Sequence, residues 1–82
     1  MRVQVFVRLK PGVLDVQGKA VERGIAEIGV VGMTDIRIGK LIELDVEAAS
    51  THDARMKVED LCQKLLANTI IETYEIAFPT KG

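Results

Sequence analysis

The sequence predicts a small α+β domain of the order β-α-β-α-β. Residues 2–9 and 35–47 alternate apolar and polar side chains, which is typical of strands with one dry and one wet face. Between and after them, residues 16–28 and 51–67 carry apolar side chains at helical spacing. A third alternating run covers residues 70–78. Strands separated by amphipathic helices predict a two-layer arrangement of helices on a sheet.

Composition and charge exclude several classes of protein. A chain of 82 residues predicts one domain, residues 1–82. The formal net charge of −1 lacks the basic excess expected for nucleic-acid binding, and no apolar run approaches the ~20 residues of a membrane span. The single cysteine, Cys62, cannot form an intrachain disulfide. The first predicted strand begins at residue 2, with no signal peptide before it. Together these observations lead us to expect a soluble cytoplasmic protein.

The first strand and helix have clear faces. Val3, Val5, Val7 and Leu9 are predicted to face inward. Phe6 faces outward, either as a lone surface aromatic or as part of a contact on the uncovered face that Leu41 shares. Asp15 is predicted to cap the helix and Gly29 to end it, with an apolar stripe between them. The stripe comprises Val21, Ile25 and Ile28.

The central run, Asp35–Glu47, supports two interpretations. Its apolar residues share one parity, which favours a single bent strand, although Gly39-Lys40 could also form a two-residue hairpin. An unbroken strand would be ~40 Å long, whereas strands in small domains span about 17–20 Å. A second copy would then have to cover the projecting half, by strand exchange in a dimer. The predicted exchange residues are Ile38, Gly39, Lys40, Leu41, Ile42, Leu44 and Val46.

Dividing that strand at Gly39-Lys40 gives the order β-α-β-β-α-β, which is the ferredoxin-like pattern. The predicted fold is therefore α+β, with ferredoxin-like units that form when two chains exchange halves of the long bent central strand.

The second helix and last strand complete the pattern. Ser50 or Thr51 can cap the helix, and Asn68 is predicted to end it in a left-handed conformation. The inward residues of the helix are Ala54, Val58, Leu61, Cys62 and Leu65, and those of the strand are Tyr74, Ile76 and Phe78. Pro79 stops the strand, and a loose tail is expected over residues 80–82.

No catalytic or metal-binding constellation is predicted. The only histidine, His52, is expected on the surface, and Cys62 is expected in the core. The alternating acidic residues Glu43, Asp45 and Glu47 are interpreted as a solvated edge. A remaining polar set is either solvated surface or a docking site for an acidic partner or a phosphate. This set comprises Lys10, Arg37, Lys40 and Asn68.

Three stretches resemble the PurS family, the small subunit of phosphoribosylformylglycinamidine (FGAM) synthase. Leu14–Val21 is similar to its first-helix motif, Asp35–Lys40 followed by Glu43-Leu44 to its central strand, and Cys62–Tyr74 to its second helix end and last strand. The run Lys-Leu-Leu-Ala-Asn-Thr at 64–69 is the most specific part. Val16 departs from the family, which often has proline at this helix start.

The resemblance implies a non-catalytic adaptor that bridges a glutaminase subunit and a large synthetase subunit. The complex uses ATP, Mg²⁺ and glutamine to convert formylglycinamide ribonucleotide to FGAM in purine biosynthesis, and no cofactor is expected on this chain. A homodimer or a dimer of dimers is expected. The alternative is a ferredoxin-like regulatory module that senses a small molecule, although its expected glycine-rich loop is reduced to Lys10-Pro11-Gly12.

Overall fold

The computed structural model describes residues 1–79, so the predicted tail lies outside the described residues. Three antiparallel strands form one sheet in the order β2-β1-β3. The strands are β1 (Arg2–Leu9), β2 (Lys40–Asp45) and β3 (Glu72–Ala77). The helices are α1 (Val16–Glu27) and α2 (Thr51–Leu61), and α2 continues as a π-helical turn over Cys62–Leu66. The predicted α+β order is confirmed.

The strand register places the predicted apolar faces together. Val5 lies between Ile42 on β2 and Ile76 on β3. Val3, Val5 and Val7 are at most 1% exposed. They form the core together with the buried residues Ala54, Val58, Cys62 and Ala67. In the described part of the chain, α2 therefore covers one face of the sheet and no helix covers the other.

The end of the second helix differs from the prediction. The backbone N–H of Ala67 donates to the Cys62 carbonyl oxygen at 3.1 Å, an i→i+5 bond that places one extra residue in the last turn. Leu66 therefore packs against the core, whereas Leu65, predicted to face inward, is 74% exposed. The left-handed conformation predicted for Asn68 is also wrong. Within residues 1–79, Asp35 is the only non-glycine residue with a positive φ, so Asn68 has a negative one.

The central run also differs from both interpretations. Strand pairing begins at Lys40, so the predicted strand Asp35–Glu47 is realised over Lys40–Asp45, and residues 36–39 lie outside the sheet. The chain does not fold back at Gly39, so the hairpin interpretation is wrong. Periodicity identified the two faces of the run correctly. It could not show that residues 36–39 have no neighbouring strand within residues 1–79.

Helix α1 begins and ends as predicted, with Asp15 as its N-cap and Gly29 at φ +81° just after it. However, it makes no substantial contact with the strands or with α2 in residues 1–79. Val21 is 42% exposed and Ile28 is 76% exposed. The radius of gyration is 16.1 Å, whereas a compact chain of this length would have about 12 Å. The apolar stripe of α1 is thus largely exposed within residues 1–79, and only Ile25 of its three residues is half-buried.

Candidate docking site

Loops at the end of β1 bring the predicted partner-contacting residues Lys10 and Arg37 together. The backbone N–H of Lys10 donates to the Ile71 carbonyl oxygen at 2.8 Å, which holds the loop beside β3. The Arg37 guanidinium donates to the carbonyl oxygens of Val13 at 3.1 Å and of Lys10 at 3.4 Å. Two backbone acceptors therefore fix the position of the Arg37 side chain.

Asp15 positions the segment that carries Arg37. One carboxylate oxygen accepts from the Gly18 N–H at 2.8 Å, which caps α1, and the other accepts from the Ile38 N–H at 2.6 Å. The Asp15 residue is only 4% exposed. These backbone hydrogen bonds, with the nearby Arg37 charge as a smaller contribution, lower the pKa of Asp15 below its usual value. The carboxylate therefore stays ionised and links two distant parts of the chain.

Glu22 makes a second such link, about two turns further along α1. Its carboxylate accepts from the Ile36 N–H at 3.0 Å, and this bond, with the Lys19 ammonium 3.3 Å away, lowers the pKa of Glu22. Gly18 lies between these links, and a Cβ there would overlap the Ile36 carbonyl oxygen. Asp15 and Glu22 are called the carboxylate clamp below, because they hold residues 36–38 against α1.

A groove of about 650 Å³ lies beside this segment, on the face of the sheet that α2 does not cover. Phe6 and Leu41, which are partners in the register of β1 and β2, contribute its apolar part. Its charged residues are Arg8, Asp35 and Arg37. Lys40 borders the groove at the start of β2, but its side chain lies on the opposite face of the sheet because Lys40 pairs with the buried Val7.

Asn68, the fourth predicted partner residue, does not line this groove. Its side-chain oxygen accepts from the Ile70 N–H at 3.2 Å, and its carbonyl oxygen accepts from the Glu72 N–H at 2.7 Å. Asn68 therefore closes the turn before β3. The structure places it at the same end of the sheet as Lys10 but gives its side chain a role within the chain.

The predicted exchange residues divide between two environments. The N–H of Ile38 is held by the clamp, and a Cβ at Gly39 would lie 2.6 Å from the Val7 carbonyl oxygen. Val46 extends the pairing of β2 through its N–H, which donates to the Met1 carbonyl oxygen at 2.8 Å. The other exchange residues, Lys40, Leu41, Ile42 and Leu44, belong to β2 itself. Their exchange between chains stays a prediction.

The described residues offer binding chemistry. Residues 1–79 contain no group of three or more His, Cys, Asp or Glu side chains placed to hold a metal ion. Burial raises the pKa of the Cys62 thiol, and this disfavours the reactive thiolate. Neither helix in this part of the chain has the length and apolar character needed to cross a bilayer. What the site does provide is a fixed guanidinium beside an exposed apolar surface.

Sequence reasoning missed the carboxylate clamp and part of the groove. The sequence predicts Asp15 only as a helix cap and assigns no contact to Glu22. Nothing in the helical periodicity indicates that either side chain accepts from a backbone N–H more than ten residues away. Arg8 and Asp35 were missed in the same way, because a strand and a loop that are distant in sequence bring them to one groove.

The sheet, its helices and this groove define a small α+β protein of ferredoxin-like type whose prominent surface feature is a binding groove. The chain belongs to the PurS family: the sequence model of that family, described as phosphoribosylformylglycinamidine (FGAM) synthase, matches residues 2–80. The resemblance found in the sequence motifs is confirmed.

Relatives from three organisms agree over most of the chain. The FGAM synthase subunit PurS of Synechocystis is 44% identical over 71 residues, which are 87% of this chain and 71% of the relative. A crystal structure of Bacillus subtilis PurS matches at 43% identity with a TM-score of 0.83, covering 93% of this chain and 94% of the other. A chain in the structure of PurLQS from Thermotoga maritima matches at 32% identity with a TM-score of 0.85, covering 93% of each chain.

Proposed function

We propose that this chain is the non-catalytic adaptor subunit of an FGAM synthase complex, in which it bridges a glutaminase subunit and a large synthetase subunit. The observation that carries the proposal is its similarity, over most of its length, to a chain of the PurLQS structure. The complex would act in the cytoplasm and use ATP, Mg²⁺ and glutamine to form FGAM. This chain would contribute docking surfaces and would bind none of these molecules itself.

The active form of the adaptor would be a dimer that exchanges strands, or a pair of such dimers. Covering the exposed stripe of α1 would contribute on the order of 1.5–3 kcal/mol for each fully buried Val or Ile side chain. β2 is an edge strand of the sheet, so residues 36–39 of a second copy could pair beside it as a fourth strand. That arrangement would place the second copy's α1 next to α2, and it would account for the extended shape of the single chain.

Reconstitution with purified subunits tests the adaptor role. FGAM formation is measured with glutamine and, separately, with ammonium as the nitrogen source, with and without this chain. The glutamine-dependent rate is expected to require this chain, whereas the ammonium-dependent rate of the synthetase is expected to change little. Equal glutamine-dependent rates with and without the chain would contradict the proposal.

Light scattering on a size-exclusion column tests the assembly. A particle of two or four chains is expected, and a monomer at micromolar concentration would contradict strand exchange.

A further inference from the structure

We propose that the carboxylate clamp is a conformational device: it prevents the central run, Asp35–Glu47, from folding back on its own chain, and so directs the run to a second copy. The inference rests on the strand-exchanged dimer of the proposed function and deepens it. Two side chains of α1 would decide between a closed monomer and an exchanged dimer.

Hydrogen bonds show which way the backbone groups of β2 point. The Val46 N–H donates to the Met1 carbonyl oxygen at 2.8 Å, and the Val46 carbonyl oxygen accepts from the Met1 amino group at 2.9 Å. Backbone groups alternate between the two edges of a strand, so the even-numbered residues of β2 point their N–H and C=O groups at β1. Its odd-numbered residues therefore point theirs at the free edge of the sheet.

A hairpin at Gly39-Lys40 would need the two N–H groups that the clamp binds. Glycine at the first position suits a type II′ turn of two residues, and such a turn would pair Ile38 with Leu41. The next hydrogen-bonded pair would be Ile36 with Glu43. Leu41 and Glu43 are odd-numbered, so their carbonyl oxygens lie on the free edge and could accept. The N–H groups that would donate to them are those of Ile38 and Ile36, and both already donate to the clamp.

Side-chain contacts alone do not exclude this hairpin. Leu41 lies beside Phe6 on the face of the sheet that α2 leaves uncovered. Pairing with Leu41 and Glu43 would bring Ile38 and Ile36 to that same face, next to the two apolar side chains already there. The folded-back form would thus bury apolar surface within one chain, and a hydrogen-bonding device is needed to prevent it.

The contacts of the clamp are well suited to this task. Asp15 is only 4% exposed, so turning Ile38 toward β2 would leave a buried carboxylate oxygen without its donor, which is costly. Gly18 lets the Ile36 carbonyl oxygen lie close against α1, which adds a packing contact to the hydrogen bonds. Because α1 makes no substantial contact with the strands or α2 in residues 1–79, α1 and residues 36–38 form an arm separate from the sheet.

Fold-back and exchange compete for one edge of β2. By parity, the backbone groups of Arg37 and Gly39 lie on the same edge of the central run as those of Leu41 and Glu43. Two copies that run antiparallel can align these edges, so that residues 36–39 of each lie beside β2 of the other. A chain whose own residues 36–38 occupied that edge of β2 could not accept a second copy there. The clamp keeps the edge free.

Removing the clamp tests the inference. Asp15→Ser keeps an oxygen that can cap α1 but is too short to reach Ile38, and Glu22→Ala removes the second acceptor. Glu27→Ala is the matched control, because Glu27 is an exposed carboxylate of the same helix. Sedimentation equilibrium gives the dimer dissociation constant of each chain. The double variant Asp15→Ser/Glu22→Ala is expected to raise it at least tenfold and Glu22→Ala alone about threefold, with Glu27→Ala within twofold of the natural chain.

A disulfide reports the folded-back form directly. Cysteines introduced by Ile36→Cys and Glu43→Cys would lie ~5.5 Å apart between their Cα atoms in the hairpin, which a disulfide can bridge. On an extended run they would be ~23 Å apart, which it cannot. After mild oxidation, mass spectrometry is expected to find an intrachain link between positions 36 and 43 in the clamp double variant and little of it in the natural background.

The outcomes separate this inference from the proposed assembly. A monomeric natural chain would overturn the exchanged dimer and this inference with it. A natural dimer whose clamp variant associates equally tightly and forms no link would overturn this inference alone. Loss of association without the link would also overturn it, because the clamp would then only order the segment. Circular dichroism confirms that each variant is folded, and Glu22→Ala, which leaves the cap of α1 intact, carries both measurements if the double variant does not fold.

Discussion

Gly18→Ala is expected to destabilise the protein, against the usual effect of this substitution. Alanine in place of glycine inside a helix normally stabilises by roughly 0.5–1 kcal/mol. At Gly18 the added Cβ would overlap the Ile36 carbonyl oxygen and lie 2.9 Å from a carboxylate oxygen of Asp15. One of these atoms is backbone, and the other belongs to a carboxylate whose two oxygens each accept from a backbone N–H, so neither can move cheaply. Overpacking of this kind costs typically 1–3 kcal/mol, so the net effect is a loss of about 0.5–2 kcal/mol.

Gly24→Ala is the matched control, since Gly24 lies in the same helix and a Cβ there would meet nothing within 4 Å. This variant is expected to gain the ordinary 0.5–1 kcal/mol. Thermal unfolding at one fixed protein concentration compares the two, because association makes the melting temperature depend on concentration. A domain of this size shifts by roughly 4–8 °C per kcal/mol, so Gly18→Ala should melt at least 4 °C below Gly24→Ala. Equal melting temperatures would refute the close packing of α1 on residues 36–38.

Three further predictions concern the clamp and the core. Because the folded pKa of Asp15 lies below its unfolded value of 3.8, its contribution to stability is complete above that value and is lost as the pH falls through the folded pKa. Asp15→Asn should therefore lower the free energy of unfolding at pH 7 and reduce its slope with pH below about 4, measured by urea unfolding; an unchanged slope would contradict this. Leu66→Ala should cost about 2 kcal/mol, whereas Leu65→Ala should cost less than about 0.5 kcal/mol, and the reverse order would contradict the π-helical turn. Cys62 should react with a thiol reagent only as fast as the core opens, so rapid labelling of the native protein would refute its burial.

The sequence predicted the elements of the fold well because each element has a dry face. The alternation of Val3, Val5 and Val7 identified β1, and helical spacing located both helices within a few residues. Prediction failed where a hydrogen bond decides the outcome. Nothing in a hydrophobic pattern distinguishes a final α-helical turn from the π-helical turn that turns Leu65 outward and Leu66 inward. The N–H groups of residues 36 and 38 likewise find side-chain acceptors that no periodicity reveals.

The candidate site was predictable in its residue types and less so in its contacts. Arg37, Lys40 and Lys10 stood out as polar side chains without an enzymatic role, and the structure brings them to one end of β1. Asn68 stood out for the same reason, but its side chain is used in a local turn. The groove depends on Phe6 and Leu41 being register partners across two strands, and the order of strands in a sheet follows from topology rather than from local sequence.

The carboxylate clamp has a consequence for how far the sheet can grow. Successive N–H groups of an extended chain point to opposite edges, so those of Ile36 and Ile38 share one edge. Both are already bound to side chains of α1. A strand formed by this segment could pair along its remaining edge only, and the row of strands would stop there. The two acidic side chains that hold this segment against α1 therefore also prevent a further strand from pairing at that edge. They favour a closed particle over an open-ended fibre.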